Sequence, residues 1–239
     1  QISPDTDSRF YDAASGYKYN HLTLMGFSLT HLSGTGIPDL GDFLFIPGTG
    51  EMKLEPGTHE DPDQGYRSRY SHDKEWASPN YYAVELADYG VKAEMTSGVR
   101  SGMFRFTYPE SDNAFIMIDM NHTLWQSCEW SNLRMINDST ITGYKLVKGW
   151  GPERHVYFTA TFSKKLTGLR FVQDKKPVIY NTSRFRSSYE AWGKNLMACI
   201  SFDTKAGEEV TVKTAISAVS TDGARNNMKE LDGLTFNEL

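Results

Sequence analysis

The segment GFSLTHLSGTG at residues 26–36, which we term the glycine loop, combines one histidine with hydroxyl side chains and closely spaced glycines. Because glycine has no Cβ, the backbone N–H groups of such a loop can approach a sugar hydroxyl or an anion closely. His31 and Ser33 could then position the ligand. The lysine and spacing of a phosphate-binding loop are missing, which argues against nucleotide binding. The alternative is that Thr30, His31 and Ser33 only satisfy one another's hydrogen bonds in a turn.

Aromatic side chains stand in two polar segments where they could stack on the apolar face of a sugar. Tyr11, Tyr17 and Tyr19 alternate along YDAASGYKY (residues 11–19), a spacing that also fits a half-buried strand at the core or edge of a sheet. Trp76 lies in a polar loop, which indicates an exposed ring for sugar stacking or for packing on a partner domain. The other tryptophans lie in or beside strand patterns, which favours packing in the core or between domains: Trp125, Trp130, Trp150 and Trp192.

The composition excludes several classes of function. The chain has 239 residues, of which 39% are hydrophobic and 23% charged, as expected for a folded globular domain. Its net charge of −5 gives no electrostatic footprint for nucleic acid. No stretch approaches the roughly 20 apolar residues of a membrane-spanning helix. Cys128 and Cys199 lack paired-cysteine spacing, so we expect two buried free thiols. Residues 61–65 lack the acidic positions of a calcium loop and are predicted to be an ordinary loop.

Short segments of alternating hydrophobicity, separated by turn residues, dominate from about residue 80 to residue 216 and predict antiparallel strands. The predicted strands are 82–86, 91–96, 103–108, 115–120, 140–148, 155–163, 169–173, 196–202 and 210–217, with others near 22–29 and 42–46. So many strands without intervening helices predict an all-β domain of two packed sheets. We expect residues 34–65 to form a long exposed loop, and Thr221 to cap one short C-terminal helix that ends before Gly233.

The glycine loop resembles the signature loop of glycoside hydrolase family 92, a family of exo-acting α-mannosidases. Four other segments resemble stretches of that family's N-terminal domain, in the family's order: QISPDT (1–6), YDAASGYKY (11–19), SHDKEWASPNYY (71–82) and AISAVSTDGARNNMKEL (215–231). The resemblance implies that residues 1–239 form a large antiparallel β-sandwich, or supersandwich. It also implies that the chain is trimmed at both ends and lacks the helical toroid domain of complete members.

The resemblance further implies a calcium-dependent, inverting hydrolase that acts on mannose-containing glycans and is exported to the periplasm or the bacterial cell surface. In the family the catalytic acid and base and most calcium ligands belong to the helical domain, so this chain alone is expected to be inactive. Its own candidate carboxylates are interpreted as turn caps or solvated edge residues: Asp39, Asp42, Glu75, Asp119 and Glu129.

The family's active site lies between the two domains, so the resemblance implies that loops of the sandwich form the pocket wall. The residues expected to contact substrate are Tyr11, Asp12, Tyr17, His31, Ser33, Gly34, Thr35 and Trp76. Tyr11 stands where members that cleave α-1,2 linkages carry tryptophan, so the sequence does not assign a linkage. The interpretation of this chain as the N-terminal domain of such an enzyme also predicts an exposed apolar patch where the helical domain would pack. Two alternatives stay open: a stand-alone carbohydrate-binding sandwich without catalysis, and a self-sufficient hydrolase with two facing carboxylates.

Overall fold

The computed structural model describes residues 2–8, 14–32, 36–179 and 190–239. Its strands, numbered β1 to β18 in chain order, form two large sheets and one small sheet. All the strand pairs that it describes are antiparallel. The small sheet joins β2 (Thr23–Leu24) to β5 (Ser68–Arg69).

The first large sheet has seven strands. Their spatial order is β1 (Ser3–Asp5), β3 (Gly26–Ser28), β4 (Leu44–Thr49), β10 (Ser111–Asp119), β17 (Leu196–Thr204), β14 (Gly168–Gln173) and β15 (Lys176–Pro177). The glycine loop therefore leaves this sheet at the end of β3, beside β1.

The second large sheet has nine strands and carries the C-terminal helix. Their spatial order is β16 (Glu190–Gly193), β11 (Ser127–Asn137), β12 (Thr140–Lys148), β13 (Arg154–Phe162), β18 (Glu208–Ser217), β9 (Ser101–Tyr108), β8 (Val91–Ser97), β7 (Tyr81–Leu86) and β6 (Glu75–Ser78). Helix α1 (Thr221–Asn227) follows β18 and packs on β13 and β18. Short 3-10 helices cover Pro62–Gln64, His72–Lys74, Met228–Leu231 and Phe236–Glu238.

The hydrophobic core lies between the two large sheets. Phe45 of β4 and Phe104 of β9 have ring centroids 5.0 Å apart, and both side chains are fully buried. The alternation of β8 shows why this packing forms: Val91 and Ala93 point into the core, whereas Lys92 between them is exposed. The predicted all-β sandwich of two antiparallel sheets with one short C-terminal helix is confirmed.

Some local predictions differ from the structure. Strand β11 was not predicted because a bulge between Cys128 and Trp130 interrupts its alternation. The N-cap of α1 is Ser220, whose side chain accepts a hydrogen bond from Gly223 N, so the prediction of Thr221 was off by one residue. The exposed loop predicted at 34–65 is interrupted by β4, which is buried inside the seven-stranded sheet and agrees with the strand expected near 42–46.

Two smaller predictions concern the thiols and the membrane. Cys128 and Cys199 are buried and free, as predicted. Across the described ranges, the structure contains no helix of the length and hydropathy that spanning a membrane requires.

Candidate functional site

A buried carboxylate organises the base of the glycine loop. Asp5, the last residue of β1, is fully buried, and its Oδ1 lies 2.6 Å from His31 Nε2. Its Oδ2 lies 3.2 Å from Nε2 of His122, which belongs to the connection after β10. Ser28 Oγ lies 3.1 Å from the same His31 nitrogen. We call these four residues the Asp5 cluster.

The electrostatics of the Asp5 cluster keep its carboxylate ionised. Burial alone would raise the pKa of Asp5, but the attraction of His31 and the hydrogen bonds to His122 and His31 outweigh burial and lower it below the ordinary range. An ionised carboxylate only accepts hydrogen bonds. Asp5 is therefore suited to orienting two imidazoles and unsuited to protonating a leaving group.

Gly16 brings the tyrosine-rich segment against the Asp5 cluster. The carbonyl oxygen of Gly16 accepts a hydrogen bond from Thr6 N at 2.7 Å. A Cβ on Gly16 would lie 2.0 Å from Asp5 Oδ1 and 3.0 Å from His31 Nε2, so only glycine permits this approach. Described residues from three segments singled out in the sequence thus meet at one carboxylate: Asp5 of the N-terminal strand, Gly16 of the segment 11–19 and His31 of the glycine loop.

A second buried carboxylate fixes the other side of the glycine loop. Thr30 Oγ1 donates a hydrogen bond to Asp42 Oδ2 at 2.7 Å, and Arg154 binds both carboxylate oxygens of Asp42 at 2.6 and 3.1 Å. Lys145 Nζ, fully buried, lies 3.6 Å from Asp42 Oδ1 and donates a hydrogen bond to the carbonyl oxygen of His122. Burial would raise the pKa of Asp42, but Lys145, Arg154 and Thr30 together lower it.

The interpretation of Asp42 as a turn cap or edge residue is therefore wrong. Its partners Lys145 and Arg154 lie more than a hundred positions further along the chain, on β12 and β13. Sequence spacing gave no signal for this contact, because only the packing of the two sheets brings these strands over the glycine loop.

A polar cleft opens beside the Asp5 cluster. Its volume is about 810 Å³, within the range of ligand pockets. His122, whose ring contacts Asp5, is among the residues that line it. Polar residues dominate the remaining wall, among them Ser8, Asp119, Asn121, Gln126 and Lys175. This chemistry suits a hydroxyl-rich ligand.

Strained backbone surrounds the same end of the sandwich. Leu40 and Trp125, both bulky, have φ values of 73° and 78°, in the left-handed region that disfavours such side chains. Their loops touch, since Leu124 N donates a hydrogen bond to Leu40 O at 2.9 Å. Strain of this kind costs about 1–3 kcal/mol per residue and concentrates at binding and catalytic sites.

The predicted substrate-binding residues fall into three groups according to where the structure places them. The first group is at or beside the Asp5 cluster: His31 belongs to the cluster, and Tyr17 directly follows Gly16, which contacts it. Trp76 is 66% exposed on the edge strand β6. The other predicted residues lie outside the described part of the chain: Tyr11, Asp12, Ser33, Gly34 and Thr35.

Tyr17 belongs to a hydrogen-bonded group around Glu75. Its hydroxyl donates to Glu75 Oε2 at 3.1 Å, and the Tyr82 hydroxyl donates to Glu75 Oε1 at 2.6 Å. His72 Nδ1 lies 2.5 Å from the same Glu75 Oε2. Burial, followed by the neighbouring Tyr70 and Glu75, raises the pKa of Tyr17, so its hydroxyl remains a donor. Tyr17 and Tyr19 are not in a strand, so that interpretation of their spacing is wrong for these two residues.

All five tryptophans are exposed, which contradicts core packing for the four near strands. Trp125 and Trp150 stand on neighbouring loops, because a Cβ on Gly149 would lie 2.3 Å from Cγ of Gln126. Gln126 Nε2 also donates a hydrogen bond at 3.2 Å to the carbonyl oxygen of Pro38, two residues after the glycine loop. We call this end, with Trp125 and Trp150, the tryptophan rim.

Comparison with known proteins decides the family. A family model described as the glycosyl hydrolase family 92 N-terminal domain matches residues 1–217. The chain belongs to this family. A search of curated protein sequences gives no match.

Solved structures share the fold of this family 92 N-terminal domain. The family GH92 inverting mannosidase from Bacteroides thetaiotaomicron VPI-5482 matches 99% of this chain with a TM-score of 0.77 and 22% identity. The GH92 family glycosyl hydrolase ccman5 matches 99% with a TM-score of 0.79 and 23% identity. The chain spans only 29% and 31% of those two proteins, respectively.

The described residues of this family 92 domain bring one group of three metal-ligand side chains together: Asp7, His21 and His59. This group does not fit calcium. Two of the three are imidazoles, whereas Ca²⁺ takes six to eight oxygen ligands. No calcium chemistry is therefore assigned to this group.

Proposed function

We propose that this chain is a non-catalytic domain of an exo-acting α-mannosidase. It would supply pocket loops that hold a mannose-containing glycan and a face that packs on a helical catalytic domain. The family match supports this, as does the similarity in fold to an inverting mannosidase. The observation that carries the proposal is the convergence of three family-like segments on Asp5 beside a polar cleft.

The role of the site would be to position substrate. Asp5 orients His31 at the base of the glycine loop and His122 on the wall of the cleft. The Asp42 ion pairs fix Thr30 on the same loop. A prepositioned loop lowers the entropic cost of holding the sugar in a reactive geometry.

The proton transfers of hydrolysis would occur elsewhere. Inverting glycosidases need a carboxylic acid and a carboxylate about 6.5–9.5 Å apart, with water between them. The two fully buried carboxylates, Asp5 and Asp42, are both ion-paired and ionised, so neither can act as the acid. We therefore place the acid, the base and the calcium ligands in the helical domain, and the whole enzyme in the periplasm or at the cell surface.

The tryptophan rim is our candidate for the docking face. Trp125 and Trp150 are 52% and 58% exposed, next to the cleft and the glycine loop. Large exposed aromatic side chains in one region mark interaction surfaces. A helical domain seated there would close the open side of the cleft.

An activity assay with a matched binding assay tests the proposal. With an aryl α-mannoside and Ca²⁺, the chain alone should release no product, whereas a longer chain that includes the helical domain should. In that longer chain, His122→Ala should raise KM at least tenfold, and His155→Ala, an exposed histidine beside Tyr144, should not. The proposal would be refuted if the 239-residue chain alone released mannose and if this activity disappeared when one of its own carboxylates was substituted.

A specific groove favours a second candidate, a stand-alone carbohydrate-binding domain. On the outer face of the nine-stranded sheet, a groove of about 700 Å³ is lined by Asn132, Arg134, Tyr144, Tyr157, Trp192 and Arg225. The Tyr144 and Tyr157 rings lie 4.9 Å apart, and Trp192 is half exposed. Calorimetric titration with mannobiose separates the candidates, because binding by the isolated chain that Trp192→Ala abolishes supports the second.

A further inference from the structure

Three side chains that can bind a metal ion, Asp7, His21 and His59, lie close together in the structure. Asp7 follows β1, His21 precedes β2, and His59 belongs to the connection between β4 and β5. One potential ligand atom from each residue lies within 4.8 Å of the others. Asp7 and His21 also bracket residues 8–20, so any ligand that joins them fixes both ends of that segment.

The ligand atoms of the three side chains lie within reach of one metal ion. His59 Nε2 lies 3.0 Å from Asp7 Oδ2, and the His21 and His59 rings have centroids 3.9 Å apart with an interplanar angle of 50°. A zinc ion with bonds of about 2.0–2.2 Å to nitrogen and oxygen holds its ligand atoms roughly 3.3 Å apart. The two rings would have to move apart to admit such an ion, which would replace the His59–Asp7 hydrogen bond.

Neighbouring hydroxyl groups orient both imidazoles. His59 Nδ1 lies 2.7 Å from Thr23 Oγ1, and His21 Nδ1 lies 3.1 Å from Thr6 Oγ1. Metal-bound histidines commonly use one ring nitrogen for the metal and the other for a hydrogen bond that fixes the ring. With both Nδ1 atoms engaged in this way, Nε2 is the ring atom that would bind the metal.

The charges around Asp7, His21 and His59 affect how tightly this cluster would bind a cation. The Arg67 guanidinium opposes a cation, because its Nη1 lies 3.5 Å from His59 Nδ1. We therefore expect moderate affinity rather than a permanently bound ion.

We propose that Asp7, His21 and His59 form a binding site for one divalent transition-metal ion of the zinc class, with water in the fourth position. Two imidazoles and one carboxylate suit Zn²⁺ and its first-row neighbours and do not suit Ca²⁺ or Mg²⁺. The bound ion joins Asp7 and His21, which flank the segment 8–20 in the sequence, to the connection that carries His59.

Calorimetric titration of the chelator-treated 239-residue chain with ZnCl₂ tests this site. We expect one ion per chain, no competition from excess Ca²⁺, and at least a tenfold weaker affinity for His21→Ala, His59→Ala and Asp7→Asn. His155→Ala is the matched control, because His155 is an exposed histidine outside the cluster, and its affinity should equal that of the unmodified chain. Stoichiometric binding that survives all three substitutions, or no binding at all, overturns the proposal.

Chemical protection in the unsubstituted chain gives a test that does not depend on variant folding. Diethyl pyrocarbonate modifies accessible imidazoles, and mass spectrometry locates the products. Zn²⁺ should slow modification of His21 and His59 at least fivefold and leave His155 unchanged. Equal modification rates with and without Zn²⁺ contradict the site.

Discussion

The buried ammonium of Lys145 donates a hydrogen bond to the backbone carbonyl of His122 while it lies 3.6 Å from Asp42 Oδ1. The His122 ring contacts Asp5 through its Nε2, at 3.2 Å. One lysine on β12 therefore connects the two buried carboxylates that hold the glycine loop. We therefore expect a substitution of Lys145 to disturb the contacts of both Asp5 and Asp42 with this loop.

Lys145→Met should destabilise the fold strongly. The substitution keeps the aliphatic stem but removes a fully buried positive charge beside Asp42. Removing one partner of a buried ion pair costs up to about 3–5 kcal/mol. Arg154 stays paired with Asp42, so the loss should lie at the lower end of this range, with a further contribution from the unpaired carbonyl oxygen of His122. Urea unfolding at pH 7 measures the change.

Lys165→Met is the matched control for Lys145→Met. Lys165 pairs with Asp138 at 3.3 Å, but both side chains are largely exposed. Exposed pairs contribute about 0–1 kcal/mol. If both variants lose the same free energy of unfolding, the buried ion pair contributes no more to stability than the exposed pair.

Asp5→Asn should change the dependence of stability on pH. The pKa of Asp5 is lowered in the folded state, so ionised Asp5 stabilises the fold above the unfolded pKa of about 3.9. This contribution is lost as pH falls below that value towards the folded pKa. The variant should therefore be less stable than the unmodified chain at pH 7, by about 3 kcal/mol, and the difference should shrink at pH 3.

Urea midpoints at pH 7, 5 and 3 measure this effect, with Asp138→Asn as the exposed control. A deficit for Asp5→Asn that stays constant from pH 7 to pH 3 would mean that the substitution acts through shape and not through charge.

Gly16→Ala should be far more harmful than an alanine substitution at a glycine with similar backbone geometry. Gly16 has φ of +89°, and its added Cβ would lie 2.0 Å from Asp5 Oδ1. Gly207 has φ of +76° but nothing within 4 Å of its added Cβ. Gly207→Ala should cost only the left-handed strain of about 1 kcal/mol, whereas Gly16→Ala must also displace Asp5 or His31.

Thermal unfolding of the two alanine variants measures the difference. We expect the midpoint of Gly16→Ala to fall at least twice as far as that of Gly207→Ala. Equal midpoints would contradict the close approach of Gly16 to the Asp5 cluster.

Local patterns predicted the fold well. Alternation along β8, β9 and β12 marks a buried face directly, because successive side chains of a strand point to opposite sides. The glycine loop was identified from its composition, and His31 does lie at the base of that loop against Asp5.

The remainder of the site could not be predicted, because it depends on contacts between distant parts of the chain. His122 and Asp5 are separated by 117 positions, and Arg154 and Asp42 by 112. No local period relates such pairs. Trp76 is exposed as predicted. For the other four tryptophans the core alternative is wrong for a similar reason: a ring beside a strand pattern can point to either face, and sequence alone does not show which face is covered. Their packing between domains stays a prediction.

The exposed tryptophans predict an unusual fluorescence for a folded β-sandwich. All five rings are between 45% and 66% exposed, so emission should be red-shifted and iodide should quench the folded chain at least half as effectively as the urea-unfolded chain. A covering domain at the tryptophan rim would shield Trp125 and Trp150 but not Trp76, which lies on the edge strand β6. Adding a separately produced helical domain should therefore reduce quenching in the unmodified chain and in Trp76→Phe, but not in the Trp125→Phe, Trp150→Phe double variant. Protection that persists in the double variant would place the contact on another face of the sandwich.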